Sequence, residues 1–257
     1  MPMSLEEYQV AQMYMVMKMQ QQNTQGDEGV EVLENKPFED DELGKVVPLS
    51  KSFMFLYMAA IANFPPRSVI KCPYFSRFIL TIETIHKEDN GLTENAHCLT
   101  KEQLASRQVE MIDIANDTSD YWSLVVGRSN FDFSQFQSAR TGRGPLLDEW
   151  EVLSGGDSLT RGILDMQDHC NPVMTAYKLV TIDAPYWGFG SRLEQALLAG
   201  ERALFLESHR NCFGWIDEWF GLSAEMMREL EKQSDSSLNK KLGRPCLVED
   251  EEDSDDM

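Results

Sequence analysis

Basic residues are scarce in this sequence: 23 Lys and Arg stand against 43 Asp and Glu, a net charge of −20. Such a chain cannot neutralise phosphates in bulk, which argues against nucleic acid and against simple electrostatic adhesion to anionic membranes. Long apolar runs are missing as well. The longest, Phe53 to Ala62, falls short of the roughly 18 residues a membrane span needs. No basic stretch followed by an apolar one opens the chain, so a cytoplasmic protein is expected. Cysteine is confined to residues 72, 98, 170, 212 and 246, an odd number with no CxxC pair. Reduced thiols are expected, not a disulfide framework or a zinc ribbon.

Groups that could assemble a catalytic centre are absent too. The four histidines, 86, 97, 169 and 209, share no HExxH or HxH spacing, and His97-Cys98 and His169-Cys170 are adjacent pairs ill suited to joint metal ligation. Thr141-Gly-Arg-Gly-Pro lacks the Lys-Ser/Thr of a phosphate loop, and there is no GxSxG elbow. The expectation is a protein with no metal, no cofactor and no enzymatic activity.

The 257 residues, 42% of them apolar, can bury a sizeable core in one large domain or two small ones. Ser4 and Glu7 form a capping box that predicts a helix to about Gln20, with Gln12 inside the apolar stripe Leu5, Tyr8, Met15, Met19. Short strands are read at Val30 to Leu33, Phe78 to Ile85 and near Val109 to Ile114. In the second of these Phe78, Leu80, Ile82 and Thr84 share a face. Thr100 and Gln103 cap a short helix between the last two strands. Asn116 to Gly142 is polar and irregular, and Leu147 to Pro172 reads as a second long insertion. A long amphipathic helix spans Ser191 to Phe220, and Ser223 caps a last helix to about Ser234. Glu249 to Asp256 holds seven acids in eight residues, a solvated tail. Strands early, helices late and no regular βαβ alternation give an α+β fold.

The segment Met174 to Trp187 carries the sharpest signal. At a two-residue period, Ala176, Lys178, Val180 and Ile182 share one face, so Lys178 is a cation among apolar neighbours. A buried ammonium requires an anionic partner. Either a ligand supplies it or an internal carboxylate does. The run ends in Tyr186-Trp187-Gly188, an aromatic pair at a turn, read as a membrane-facing edge or as ordinary core.

Several ordered blocks, Met3 to Tyr14, Gly29 to Leu33, Ile82-Glu-Thr84, Ser138 to Leu146, Ala176 to Thr181 and His209 to Trp219, resemble the phosphatidylinositol transfer proteins from residue 3 to about 235. The resemblance implies a START-like fold: a concave, mostly antiparallel sheet with long C-terminal helices enclosing a single phospholipid. It implies a domain over 1–237 and an acidic disordered tail over 238–257. By motif, Gln12, Thr84 and Lys178 match the family's lipid-phosphate contacts, and Ser68 matches a phosphate-contacting Thr. Glu231 and Asn63 match its inositol contacts, while Tyr186 and Trp187 occupy the place of its membrane-entering Trp pair. The implied activity is intermembrane transfer of phosphatidylinositol or phosphatidylcholine, with phosphatidic acid a further ligand. The implied carrier is a cytoplasmic monomer that visits membrane surfaces transiently.

Residues 45–66 depart from the family: a Gly-Gln-Tyr-Thr-x-Lys strand and a Trp-Asn-x-Tyr-Pro strand have no counterpart. The family's strand ahead of the first helix has none either, and about 151–170 is an insertion. Some family strands are therefore expected to be missing. A non-transferring adaptor or defective isoform with an incomplete cavity is the alternative reading.

Overall fold

The computed structural model describes residues 1–23, 67–72, 75–116, 121–147, 150, 170–241 and 243. The strand expected at Val30–Leu33, residues 45–66, most of the 151–170 insertion and the acidic run lie outside them. The first helix, α1, runs Leu5–Asn23. Its capping box is formed: the Glu7 amide donates to Ser4 Oγ at 3.2 Å and the Ser4 amide to Glu7 Oε2 at 2.8 Å.

Among the described residues the sheet has three strands, β1 (Arg67–Cys72), β2 (Phe75–Lys87) and β3 (Thr175–Asp183), in that order and antiparallel throughout. Together with the helices this is a mixed α+β fold. As the alternation predicts, Phe78, Leu80, Ile82 and Thr84 of β2 are all buried. Across the ladder, Leu80 pairs with Ile182, Ile82 with Val180 and Thr84 with Lys178. One face of the sheet thus changes from apolar to polar along its length.

Lys101–Ser106 forms α2 with the expected Thr100–Gln103 capping box. The strand expected near Val109 to Ile114 is not formed. That segment is irregular, with Val109 and Met111 exposed and Ile114 buried. At its end, backbone carbonyls are taken outside a ladder: that of Ile114 accepts from Arg210 Nη1, and that of Asp113 from the Asn116 amide at 3.3 Å. The stretch from Asn116 to Gly142 is not wholly irregular either, because Tyr121–Val126 makes a short helix, α3.

The long C-terminal helix, α4, spans Gly190–Gly214 and is followed by a single turn, α5 (Ile216–Trp219). The continuous helix to Phe220 therefore breaks at Trp215. Gly214 ends α4 where the Phe131 ring lies so close that a Cβ would sit 2.2 Å from it. The last helix, α6, runs Ala224–Lys241, one turn or more beyond the expected end and through the expected boundary at residue 238. Ser223 Oγ accepts from the Met226 amide at its start.

Two apolar clusters form the core. One joins α1 to Phe133, Phe213, Ile216 and Trp219, and the other packs the sheet against α3 and α4. Arg210, fully buried on α4, ties the irregular segment down: it donates to the carbonyls of Ile114, Asn116 and Phe131 and to Ser129 Oγ, and stacks on the Phe133 ring.

Candidate functional site

The polar end of the sheet face is where α1, β2, β3 and α4 converge. From β3, Lys178 donates to Thr84 Oγ1 on β2 at 3.4 Å and sits 4.8 Å over the Phe205 ring of α4. From α1, Gln12 Nε2 donates to Tyr8 Oη at 2.8 Å, and Tyr8 Oη bonds His209 Nε2 at 2.6 Å. The Tyr8 ring also meets His86 edge-on at 5.0 Å. Gln12, Thr84 and His209 are all buried. Three residues singled out in sequence as polar intruders, Gln12 and Thr84, both buried, and the half-buried Lys178, therefore belong to one polar group.

Its electrostatics follow from burial. Enclosure lowers Lys178 from 10.5 to about 7, opposed chiefly by the charge of Glu201. Enclosure raises Glu201 to about 8, opposed by Lys178. His86 falls to about 4 and His209 to about 3, each chiefly through burial and then through Lys178. Burial also pushes the Cys212 thiol up. Both histidines are neutral at physiological pH. Glu201 is thus the internal acid whose charge, when ionised, acts on Lys178, while burial holds its proton to about pH 8. Two atoms of the group, Glu201 Oε2 and His86 Nε2, are buried without a hydrogen-bond partner among the described residues. An orphaned buried polar atom costs about 1–3 kcal/mol, so this is an arrangement a polar ligand can relieve.

Glu201, Phe205, His209 and Cys212 were missed as site residues in the sequence. Their signal was present: they recur at four- and three-residue steps along α4, so a carboxylate and an imidazole share one stripe with apolar residues. Ser68 lies in β1 opposite Ile82, two residues along β2 from Thr84; its side chain lies outside the described residues, as does Asn63. Glu231 stands half-buried on α6, its carboxyl raised to about 7 by burial and then by Asp235, opposed by Arg228. A cleft of about 380 Å³ lies between α1, the α5 turn and α6, lined by residues that include Tyr14, Glu218, Leu230 and Ser234. It includes none of Gln12, Thr84 and Lys178, so it is not their site.

At the end of β3 the chain turns through Gly188, whose φ of +84° favours glycine. Tyr186 stacks on Phe189 at 5.3 Å and accepts from the Arg77 amide at 3.2 Å. Trp187 between them is 99% exposed. The core reading of Trp187 is excluded. Among the described residues no helix is long and apolar enough to cross a membrane, and no cluster of His, Cys, Asp and Glu could hold a metal ion.

Comparison with known proteins places this geometry. The family described as phosphatidylinositol transfer protein matches residues 1–55 and 49–236. Phosphatidylinositol transfer protein 2 of Dictyostelium discoideum is 36% identical over 94% of this chain and 93% of its own length. Phosphatidylinositol transfer protein 1 of the same organism is 34% identical, over 94% and 92%. Protein retinal degeneration B of Drosophila melanogaster is 33% identical over 94% of this chain, which spans 20% of that longer protein. A match along nearly the whole chain, embracing the convergent polar group and the exposed tryptophan, leaves one assignment: the chain belongs to the phosphatidylinositol transfer protein family.

Proposed function

We propose that this chain carries single phospholipids between membranes, holding the lipid phosphate at Lys178, Thr84 and Gln12. The observation that carries the reading is the convergence of those side chains beside the two orphaned atoms, Glu201 Oε2 and His86 Nε2. A phosphate accepts hydrogen bonds, and a protonated Glu201 and a neutral His86 can each donate one. An anion beside Lys178 also restores its proton. One ligand thus satisfies several buried groups at once, which is more economical than separate partners. Ser68 adds a further phosphate contact, and Glu231 and Asn63 address the inositol ring. With no counterpart in 45–66 to the Gly-Gln-Tyr-Thr-x-Lys strand, whose Thr and Lys contact inositol in the family that the chain resembles, the phosphate grip outlasts the inositol grip, which favours phosphatidylcholine or phosphatidic acid.

The lipid's acyl chains explain the need for a START-like cavity. Two chains hold about thirty methylenes, and at ~0.8 kcal/mol each they resist leaving the bilayer by roughly 25 kcal/mol. A cavity of equal apolarity removes most of that barrier if the lipid never crosses water, so the carrier, a cytoplasmic monomer, must open while pressed to the membrane. Tyr186 and Trp187 form that pressed edge, since amphipathic rings settle at the headgroup level. Native mass spectrometry of the purified chain tests lipid carriage: a bound phospholipid is expected, and a chain that never retains lipid overturns the reading in favour of a non-transferring adaptor. Trp187→Ala is expected to keep the lipid but slow transfer between vesicles; unchanged transfer refutes the role of the edge.

A further inference from the structure

The short helix α3, Tyr121–Val126, is apolar on both sides. Trp122 and Val126 face inward, in the same packed cluster as Tyr186, Leu193 and Leu197. That accounts for one side of the helix. On the other, Tyr121 is 70%, Leu124 64% and Val125 41% exposed, and no charged residue interrupts the helix. The core does not explain these three.

We infer that the outer face of α3 is a second membrane-contact element, entering the headgroup layer of a bilayer beside the Tyr186–Trp187 turn. The inference rests on the reading of that turn as the membrane edge. Continuity is the first support. Tyr186 and the inner face of α3 share one cluster, and α4, which begins directly after the turn, packs against α3. Phe189 at the start of α4 and Leu198 farther along it are exposed too, so the apolar surface is broader than one tryptophan. Scattered single apolar residues need no explanation, but a group on adjoining elements does.

Charge is the second consideration. Arg77 beside Tyr186, Arg128 just past α3 and Arg192 in the first turn of α4 stand against Asp183 and Glu194, and Asp117 and Asp120 precede α3 in the sequence. Three cations against four acids leave these elements near balance in a chain of net charge −20, so anionic headgroups repel them less than they repel the chain as a whole. Tyr at one end of α3 and Leu and Val at the other match an interface that is wet above and apolar below.

Hydrogen exchange of the full chain with and without phosphatidylcholine vesicles tests this, together with the Tyr121→Ser/Leu124→Ser double variant. Vesicles are expected to slow amide exchange across 121–126 as well as around Trp187. The double variant, altered only at exposed positions, should keep its co-purifying lipid but bind vesicles about tenfold more weakly, the loss being of apolar area. Protection of the Trp187 turn with none at 121–126 overturns the inference and leaves the membrane-edge reading standing. Protection of neither sinks both. Protection at 121–126 that follows protein concentration without vesicles means a second copy of the chain covers the helix, which also overturns it.

Discussion

Replacing Lys178 by Met separates service to a ligand from service to the fold. The drop of its pKa from 10.5 to about 7 measures how much the folded protein disfavours the cation, at most about 5 kcal/mol. That figure is already net of the attraction to Glu201; against it stand the interactions that the ammonium makes and a thioether cannot, the hydrogen bond to Thr84 Oγ1 and the cation over the Phe205 ring. Met keeps the length and can pack on Phe205. Since burial costs commonly exceed what a buried ion pair returns, Lys178→Met is expected to stabilise the lipid-free protein by about 1–3 kcal/mol. Lipid binding should move the other way. Loss of a charge-assisted hydrogen bond, about 1.5–3 kcal/mol, weakens phospholipid capture about ten- to hundredfold. Urea denaturation reads the first quantity and lipid occupancy by native mass spectrometry the second. The stability gain has a required pH signature. Below about 7 the lysine is protonated in both folded and unfolded chains and the penalty is complete; as pH rises from about 7 to 10.5 the folded lysine is neutral while the unfolded one keeps its proton, so the parent gains stability and the gap closes. A variant destabilised by more than about 3 kcal/mol with undiminished lipid occupancy would refute the reasoning and make Lys178 a structural ion-pair partner of Glu201.

Other outcomes follow from the same geometry. Arg210→Leu strips hydrogen bonds from three backbone carbonyls and from Ser129, and a loss of about 3 kcal/mol or more in urea denaturation is expected; a loss below about 1 kcal/mol would contradict this. At Gly190 a Cβ would lie 2.3 Å from the Ala184 carbonyl, so Gly190→Ala must open the turn that presents Trp187, at a cost of about 1–3 kcal/mol. Vesicle transfer by that variant should slow as well, and unaltered stability and transfer would show that the turn tolerates the methyl. Glu231 holds its proton to a higher pH in the folded chain than in the unfolded one, so stability should fall as pH rises from about 4.5 to about 7. Glu231→Gln should flatten that part of the urea-midpoint profile, and parallel profiles would assign the slope elsewhere.

Elements whose causes are local were legible from the chain alone. Ser4–Glu7 and Thr100–Gln103 are capping boxes complete within four residues, and both formed. The alternation through Phe78, Leu80, Ile82 and Thr84 is a local period, and all four are buried. Val109 to Ile114 misled because a strand needs a neighbour. Its pattern suits a sheet, but a guanidinium on α4, Arg210, takes the Ile114 carbonyl instead. The break at Trp215 was hidden for a similar reason, since the ring crowding Gly214 belongs to Phe131, far away in sequence.

For the site, sequence by itself identified the anomalies: a cation in an apolar strand face, a glutamine in an apolar helix stripe, and an aromatic pair at a turn. Side-chain polarity and backbone period suffice for that, because both are properties of neighbours along the chain. Tertiary structure alone decided what the anomalies meet. It set Lys178 against Thr84 by strand register, and brought Glu201 and Phe205 from α4 to the same ammonium. It turned Trp187 into solvent while Trp122 and Val126 went inward. Burial and long-range pairing set these energies, and neither is defined until the chain has closed on itself.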